Sequence, residues 1–423
     1  MTEERKRVAV VGGGVAGVVA AWLLDRAYDV VLFEQNDYLG GHTHTIVLDE
    51  GPDRDTPVDT GFIVFNDRTY PLFGRFLQEL GVEARHSNMS FSCRNRQAGV
   101  LYAGTDLNGL FALRSNLIRP GFHRMLRDIR RFGRQALSDM ESGDLQSVSL
   151  GKYVAQRGYS DEFRDHYLVP MGAAIWSTPA GDILDYPAGN FIRFFDNHGL
   201  LRIWEGMTWK TVQGGSHMYV RAFRDRFSGR IHLSSPVEAV RREEDRVVLR
   251  TAEGGEESFD QVVLAAHADQ SLRMLTDPTP DELRLLGAWR YSRNRTVLHT
   301  DRTVLPPVPR AWASWNYEVE PGSAPEDPVC LTYHMNRLQG LKTWEEYCVT
   351  MNRKEPISEE TIIRDLVYEH PIYTRESVAT QAELPKLGGV CHTWFCGSYF
   401  RNGFHEDAVA SAVAVAEGLG VTF

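Results

Sequence analysis

Cysteine is scarce in this sequence of 423 residues, and the few that occur lie far apart. There are five, no two have the C-x-x-C spacing of a metal or redox site, and an odd number cannot all pair within one chain. Free thiols in a reducing compartment explain this pattern best. Because the first residues also lack the apolar run of a secretory signal, we expect a cytoplasmic protein.

Long apolar runs and an excess of positive charge are missing as well. No stretch of about 18 apolar residues occurs, so we expect no transmembrane helix. The net charge of −10 at pH 7 argues against nucleic acid as a partner. A chain of this length exceeds one typical hydrophobic core, which indicates two intertwined domains.

A glycine-rich segment follows the first apolar run. Residues 7–11 are typical of a buried parallel strand, and Gly12, Gly14 and Gly17 then have the G-x-G-x-x-G spacing before an apolar helix. Such a turn bends tightly at the first glycine, admits a pyrophosphate at the second and packs closely at the third. The helix N-terminus favours the phosphates. The predicted dinucleotide contacts here are Gly12, Gly14, Val15, Ala16 and Gly17.

An acidic residue follows the second predicted strand. Residues 28–33 are mostly apolar, and Glu34 comes next, about 20 residues beyond the glycine turn. A carboxylate at this place accepts hydrogen bonds from the ribose hydroxyls and disfavours a 2′-phosphate. The segment therefore predicts a dinucleotide without a 2′-phosphate.

A second glycine pair indicates which dinucleotide the chain binds. Gly40-Gly41-His42 resembles the second glycine motif of the flavin amine-oxidase superfamily, which implies FAD as the cofactor, with Gly40, Gly41 and His42 near it. In that family an arginine commonly follows the pair, whereas His42 stands here. Two interpretations of His42 stay open. It contacts the cofactor, or it belongs to a polar strand that faces the cofactor and takes no part in the chemistry. No nearby cysteine or acid completes a site with His42 and His44, so we predict no metal.

The end of the sequence resembles the last motif of the same family. A short strand ends at Gly397, and Gly403-Phe404-His405-Glu406 begins a helix of small residues. In the family this helix directs its N-terminus at the flavin pyrimidine edge, where reduced flavin becomes anionic and a helix dipole stabilises it. The FAD contacts that the resemblance implies here are Gly397, Ser398, Gly403, Phe404 and His405.

The order of the motifs implies an α/β fold in which a Rossmann-like FAD-binding domain carries an inserted α+β substrate domain. We expect the FAD-binding domain in residues 1–85, 205–275 and 386–423, and the substrate domain in residues 86–204 and 276–385. Residues 230–240 are predicted to form one strand, in which the residue matching Val237 meets the adenine edge. Cys391 lies too close to the last motif for the family's covalent attachment, so we expect non-covalent FAD.

Four residues are candidates for catalysis. Alternation along a predicted strand at 329–335 places His334 and Asn336 on one face, where they face substrate. Lys210 lies shortly before a further glycine pair, and Tyr399 precedes the last motif, so both are near the flavin in this interpretation. The alternative for each is structural: a satisfied core histidine, a surface lysine or a packed tyrosine.

Two short segments narrow the resemblance. Ala174-Ile175-Trp176-Ser177 and residues 335–339 resemble a bacterial group of amine-oxidase-like flavoproteins that are usually associated with cyclopropane-fatty-acid-synthase-like methyltransferases. This implies an enzyme that oxidises or desaturates a methylated or unsaturated acyl lipid, with such a methyltransferase as a partner. An oxidase of amines or a porphyrinogen, a redox-neutral double-bond isomerase and a non-catalytic FAD-binding partner of a lipid-modifying complex stay open. The residues expected to line an apolar tunnel are Phe191, Phe194, Phe195, Leu200, Leu201 and Trp204.

A basic stretch interrupts the acidic background. Its arginines alternate with apolar residues and are opposed by Asp128 alone. A basic amphipathic helix of this kind binds membrane surfaces, so we expect peripheral contact with a membrane. A solvated helix that packs its apolar face on the domain is the alternative. The arginines are Arg114, Arg119, Arg124, Arg127, Arg130, Arg131 and Arg134.

Overall fold

The structure is a computed structural model that describes residues 5–143, 145, 147–201 and 207–423. The strands are β1 Arg7–Val11, β2 Asp29–Phe33, β3 Thr45–Val47, β4 Pro57–Asp59, β5 Phe65–Asn66, β6 Ala84–His86, β7 Phe91–Asn95, β8 Val100–Ala103, β9 Trp209–Val212, β10 Arg230–His232, β11 Val237–Arg242, β12 Val247–Thr251, β13 Glu256–Phe259, β14 Gln261–Leu264, β15 Arg290–His299, β16 Trp315–Val319, β17 Cys330–His334, β18 Cys348–Met351, β19 Ile362–Ile372 and β20 Thr393–Phe395. The helices are α1 Val15–Leu24, α2 Pro71–Glu79, α3 Leu107–Leu110, α4 Pro120–Ser142, α5 Leu150–Gln156, α6 Asp161–Phe163, α7 Val169–Trp176, α8 Ala180–Ile183, α9 Ala188–Asn197, α10 His217–Arg226, α11 Ala268–Met274, α12 Pro280–Gly287, α13 Met335–Leu338, α14 Arg375–Thr380 and α15 His405–Gly418.

A parallel sheet forms the first layer of the molecule. Its strands run in the order β10-β2-β1-β14-β20, and every neighbouring pair is parallel. The sequences of such strands are continuously apolar because both faces of the sheet are covered. They come from three separate stretches of sequence, which places the two ends and the middle of the chain in one sheet.

Helix α1 is apolar on nearly every side because it is covered on nearly every side. Only Trp22 among its ten residues is not buried. It packs beside α15, which is similarly rich in small residues and valine. The shared core of these helices and the sheet holds the N-terminus of α1 at the carboxyl end of β1.

A larger sheet and a group of helices form the rest of the molecule. The sheet has the order β19-β15-β18-β17-β16-β7-β8 and is antiparallel except between β16 and β7. Side chains of α4 to α9 share one hydrophobic core with strands β7, β8, β16 and β17. None of the described helices combines the length and the apolarity that spanning a lipid bilayer requires.

The strand predicted at residues 230–240 is two strands. β10 joins the parallel sheet, whereas β11 pairs with β12 in a separate antiparallel sheet. Ser234 has a φ of 51° between them, and a left-handed residue interrupts a strand. The α/β class predicted from the sequence is confirmed, while the domain boundaries stay a prediction, and residues 204 and 205 at one boundary lie outside the described residues.

Candidate active site

A large cavity lies at the carboxyl ends of the parallel strands. Its volume is about 810 Å³, and Val11, Ala265 and Gly397 mark where three strands open into it. Residues of the larger sheet, among them Trp315 and Tyr333, line it as well. Ligands bind at this edge of open α/β sheets, so the cavity is the candidate site.

The first glycine turn has the geometry that a pyrophosphate requires. Gly12 has a φ of 107°, and a Cβ there would lie 2.7 Å from the carbonyl oxygen of Ala265. A Cβ on Gly17 would lie 1.8 Å from the carbonyl oxygen of Gly12, so this glycine serves helix packing. A Cβ on Gly14 would meet no atom within 4 Å, because Gly14 faces the open cavity.

The carboxylate of Glu34 is buried beside this turn. Its Oε2 accepts a hydrogen bond of 2.6 Å from the backbone N–H of Gly13, and its Oε1 accepts two from Asn36, at 2.9 and 2.8 Å. An ionised carboxylate has about four acceptor positions, so capacity remains for a ribose hydroxyl. Glu34 also lines the cavity, as a ribose contact requires.

The second glycine pair packs against the first. The N–H of Gly40 donates to the carbonyl oxygen of Gly13 at 2.8 Å, and a Cβ on Gly41 would lie 3.3 Å from Cα of Gly14. His42 therefore lies close to the N-terminus of α1. Burial lowers the pKa of His42 to about 4, so its ring is neutral, and its Nε2 has no hydrogen-bond partner.

The N-terminus of α15 contains the last of the predicted cofactor motifs. The carboxylate of Asp407 accepts hydrogen bonds from the N–H groups of Phe404 and Asn402, at 2.9 and 3.2 Å. Glu406 instead accepts from the first turn of α2, through the N–H groups of Leu72 and Phe73. These carboxylates hold the helix start in place, and burial raises the pKa of Asp407 to about 6.

His405 begins a buried hydrogen-bonded chain at the start of α15. Its Nε2 lies 2.9 Å from Oγ1 of Thr43, which in turn lies 2.5 Å from the hydroxyl of Tyr219. The imidazole stacks on Phe62 with ring centroids 3.6 Å apart. Burial holds the pKa of His405 well below its ordinary value, so the ring is neutral at pH 7.

The cavity brings together all but one of the predicted cofactor contacts. Gly17 is the exception, because it packs α1 on the glycine turn. The predicted contacts that line the cavity are Gly12, Gly14, Val15, Ala16, Glu34, Gly40, Gly41, His42, Val237, Gly397, Ser398, Gly403, Phe404 and His405.

Two of the predicted catalytic residues face away from the cavity. On β9 it is Trp209 that lines the cavity, whereas the ammonium of Lys210 lies 2.6 Å from the carboxylate of Asp67. On β17 it is Tyr333 that lines the cavity, and Nε2 of His334 lies 2.6 Å from the carboxylate of Glu346. Neighbouring residues of a strand face opposite sides, so each candidate lies one residue along its strand from the side chain that lines the cavity.

Of the other two catalytic candidates, Tyr399 lines the cavity and Asn336 does not. Asn336 belongs to α13 and not to a strand, so alternation does not place it beside His334. Its amide holds a turn through Thr343 and the N–H of Tyr347, at 2.8 and 2.7 Å. Tyr399 lines the cavity and is buried against Trp289, and its hydroxyl has no partner.

The expected tunnel residues divide by helix face. Phe194 and Leu200 line the cavity. Phe191 and Phe195 are four residues apart on α9, so they share the other face, where their rings stack at 4.3 Å in the core. Leu201 is also buried in that core, and Trp204 lies outside the described residues.

Sequence motifs gave no sign of several residues that line the cavity. His267 follows β14, and Tyr368, Glu369 and His370 lie on β19. His198 follows α9. Tertiary structure brings these segments to the cavity, and Tyr368, Glu369 and His370 line it as consecutive residues, so strand alternation does not identify them.

The cysteines are all outside the cavity lining. Cys391 is exposed in a turn with a φ of 48°, and Cys396 is buried in the core beneath α15. A thioether to the flavin needs a cysteine at the cavity surface. The arrangement therefore supports non-covalent FAD.

Comparison with protein families gives one match. The family model of the flavin-containing amine oxidoreductases matches residues 15–306 of the sequence, which is more than half of the chain. The chain belongs to this family. It is therefore an FAD-dependent oxidoreductase, and the glycine turn, the spare acceptor capacity of Glu34 and the helix start at His405 fit FAD in the cavity. No curated protein matches the sequence.

Solved structures of other flavoenzymes share the fold. A fatty acid isomerase from P. acnes that produces CLA has 13% identity and a TM-score of 0.69, over 96% of this chain and 97% of that one. Cyclohexylamine oxidase from Brevibacterium oxydans IH-35A has 16% identity and a TM-score of 0.69, over 98% and 100%. A putrescine oxidase bound to putrescine has 15% identity and a TM-score of 0.68, over 98% of each. At these identities the likeness concerns the fold alone.

Proposed function

We propose that this enzyme removes hydrogen from the acyl chain of a lipid and so desaturates it. The observation that carries the proposal is a mostly apolar part of the cavity lining, which we call the substrate wall. Its residues lie outside the glycine motifs and the α15 motif. They are Ile63, Val64, Met89, Ser90, Phe91, Met171, Ile175, Trp176, Ser177, Phe194, His198, Leu200, Trp209, Trp315, Tyr333 and Met351.

Charge is absent from the substrate wall among the described residues. The charged side chains of the cavity lining are Glu34, Glu238, Arg273 and Glu369, and all four lie outside the wall. Removing an ammonium group from water without a paired carboxylate costs several kcal/mol. A protonated amine would meet that cost at the wall, whereas an acyl chain is uncharged.

Apolar contact also supplies the affinity that a lipid needs. Each methylene removed from water contributes about 0.8 kcal/mol, so two methylenes are equivalent to roughly a fifteenfold change in affinity. Fatty acids of increasing length are therefore expected to bind about fifteenfold more tightly per two carbons until the wall is filled. Diaminoalkanes of matched length are expected to show no such series.

A charge placed in the wall tests the same point. Ile175→Asp puts a carboxylate at a wall residue, whereas Leu283→Asp puts one on α12 at an exposed position. The first variant is expected to lose the chain-length series and the second to keep it. Wild-type binding that is independent of chain length, or equal binding by Ile175→Asp, contradicts the proposal.

His198 is the group of the wall that suits proton transfer. Its Nδ1 lies 3.0 Å from the carbonyl oxygen of Phe194, so Nδ1 carries the proton and Nε2 has a free lone pair. Burial lowers the pKa of His198 to about 4. The ring stacks on Phe194 at 3.9 Å and lies 5.9 Å from the ring of Phe404, at the start of α15.

Desaturation requires that two hydrogens leave adjacent carbons. When bound, FAD supplies the acceptor for the hydride and its two electrons. The neighbouring C–H bond loses a proton to Nε2 of His198, and the electron pair of that bond becomes the double bond. A neutral imidazole of low basicity suffices, because hydride loss makes this C–H bond strongly acidic.

Substitution of His198 separates this role from packing. His198→Gln is expected to slow reduction of the flavin by lipid about 10²- to 10⁴-fold, the usual effect of losing a general base, while FAD affinity stays unchanged. The rate should also lose its dependence on pH. His86→Gln changes an exposed histidine outside the cavity lining and is the matched control. An unchanged rate in folded His198→Gln assigns the ring to packing.

Redox-neutral isomerisation of a double bond is the second candidate. The fatty acid isomerase noted above has the same fold, which supports the fit of an acyl chain to this architecture. Return of the hydride to another carbon would move a double bond without net oxidation. The mass of the product distinguishes the candidates, because desaturation lowers it by two hydrogens.

We further propose that the lipid comes from an anionic bilayer, which contacts only the beginning of the predicted basic stretch, before α4, together with Leu107. The apolar side chains of α4 face the core, so this helix cannot present them to a membrane. Leu107, Leu117 and Ile118, however, are 75%, 52% and 84% exposed. Arg114 joins their two segments by hydrogen bonds to Asn108 and to the carbonyl of Phe111.

Vesicle sedimentation tests this surface. Leu117→Ser with Ile118→Ser is expected to weaken binding to anionic vesicles, and salt should weaken wild-type binding because the arginines contribute through charge. Leu283→Ser removes a 53% exposed leucine on α12 and is the control. Equal binding by the double variant and the control contradicts the proposal.

The resemblance to a methyltransferase-associated group also suggests a reaction that precedes this one. A lipid methyltransferase would supply the methyl-branched acyl chain that this enzyme oxidises. Physical association of the two proteins is a separate proposal, which co-purification of the separately expressed proteins tests.

A further inference from the structure

Three imidazoles meet in the cavity, outside the substrate wall, and we call them the histidine cluster: His42, His267 and His370. They come from three elements, namely the segment after the second glycine pair, the segment after β14, and β19. The rings of His42 and His370 are 5.1 Å apart, and His267 stacks on Tyr291 at 4.2 Å.

His42 and His267 belong to segments that pack on the glycine turn at the start of α1, where the pyrophosphate of a dinucleotide binds. Gly41, which precedes His42, packs on Gly14 of the glycine turn. Related flavoproteins commonly carry an arginine at the position of His42. In the described lining the one arginine is Arg273, whose guanidinium bonds to Asp269 at 2.9 Å. A pyrophosphate with two negative charges would therefore meet imidazoles where an arginine is usual.

The cluster is neutral in the protein alone. Burial lowers the pKa of His42 to about 4 and the pKa values of His267 and His370 to about 3. The side chains that face it are those of Tyr291, Asn294, Tyr368, Glu369 and His405, with Arg273 and Arg293 farther out.

Two nitrogens of the cluster have no protein partner. Nε2 of His42 and Nδ1 of His267 are both buried and unbonded, although the carboxylate of Glu369 lies 3.6 Å from the latter. Nδ1 of His370 accepts a hydrogen bond of 2.9 Å from the amide of Asn294. The cluster thus has room for an added proton and has acceptor nitrogens ready to take it.

We propose that the histidine cluster is a proton-coupled anion site, which takes up a proton when the pyrophosphate of FAD binds. The negative charge of the phosphates stabilises an imidazolium beside them, so the bound state holds more protons than the free protein. By linkage, FAD affinity then falls as the pH rises, by up to tenfold per pH unit for one proton. An arginine at this position would give an affinity independent of pH.

Calorimetry of the apoprotein with FAD tests the proposal, because it counts protons independently of enzyme activity. Titrations at pH 6, 7 and 8, each in buffers of different ionisation enthalpy, are expected to show uptake that approaches one proton at pH 6. Affinity for FAD should fall from pH 6 to pH 8. His42→Arg is expected to bind FAD without uptake, and the exposed His86→Gln to behave as wild type.

Two results overturn the inference while leaving the cofactor assignment intact. One is tight FAD binding by the wild-type protein with no proton uptake between pH 6 and pH 8. The other is unchanged uptake in a folded His42→Gln, His267→Gln, His370→Gln variant, which would place the proton elsewhere. The first result needs only the wild-type protein, so the inference stays testable even if the triple variant does not fold.

Discussion

Replacing Glu34 tests the cofactor site at one side chain. Glu34 is 5% exposed, and its carboxylate accepts hydrogen bonds from the N–H groups of Gly13 and Asn36 and has further acceptor capacity for a ligand in the cavity. Hydrogen bonds to a charged group contribute about 1.5–3 kcal/mol. Glu34→Ala is therefore expected to raise the Kd of FAD about ten- to hundredfold.

The same substitution also affects folding, and the two effects separate experimentally. Without the carboxylate, the N–H groups of Gly13 and Asn36 lose their acceptor, which costs about 1–3 kcal/mol in the apoprotein. Urea unfolding of apoprotein measures that loss, and fluorescence titration with FAD measures affinity. Asp37→Ala removes an exposed carboxylate outside the cavity and controls for net charge. Wild-type affinity in folded Glu34→Ala refutes the assignment of Glu34 to the ribose.

Three further predictions concern the cofactor and the fold. Acid precipitation should release all the flavin, because every cysteine lies outside the cavity lining; flavin on the pellet would contradict this. Arg242→Met should cost about 3–5 kcal/mol in urea unfolding, because it leaves the buried carboxylate of Glu282 without its ion pair, whereas exposed Arg241→Met should cost little. As the pH falls below 6.5, each member of the histidine cluster should cost the apoprotein up to about 1.4 kcal/mol of stability per pH unit, since its lowered pKa keeps it neutral while the unfolded chain takes up protons. Burial raises the pKa values of Asp59 and Asp407 to about 6, so these carboxyls contribute the opposite slope. The test is therefore the slope of wild type against that of His42→Gln, and equal slopes from pH 6.5 to 5 would contradict the prediction.

The cofactor half of the site could be predicted because local sequence determines it. The turn at Gly12 and Gly14 needs glycine for its own backbone and its close contacts, and Glu34 follows directly on β2. The helix start at His405 is similarly encoded by the residues next to it. Each of these features arises within a few residues, so spacing alone locates it.

The substrate half could not be predicted because it depends on which face of an element meets the cavity. Lys210 and His334 were one residue away from Trp209 and Tyr333, and on a strand one residue reverses the face. The histidine cluster joins segments that are distant in sequence, and of its members only His370 lies on a strand. No local sequence pattern predicts that these three segments lie together.

The most direct test of the account is anaerobic mixing of the oxidised holoenzyme with candidate substrates in a stopped-flow spectrometer. Phospholipids with unsaturated or methyl-branched chains are expected to bleach the flavin band, and mass spectrometry should find a product lighter by two hydrogens. Putrescine, longer polyamines and aromatic amines should leave the band unchanged. Bleaching by an amine and by none of the lipids would contradict the assignment of an acyl chain as the substrate.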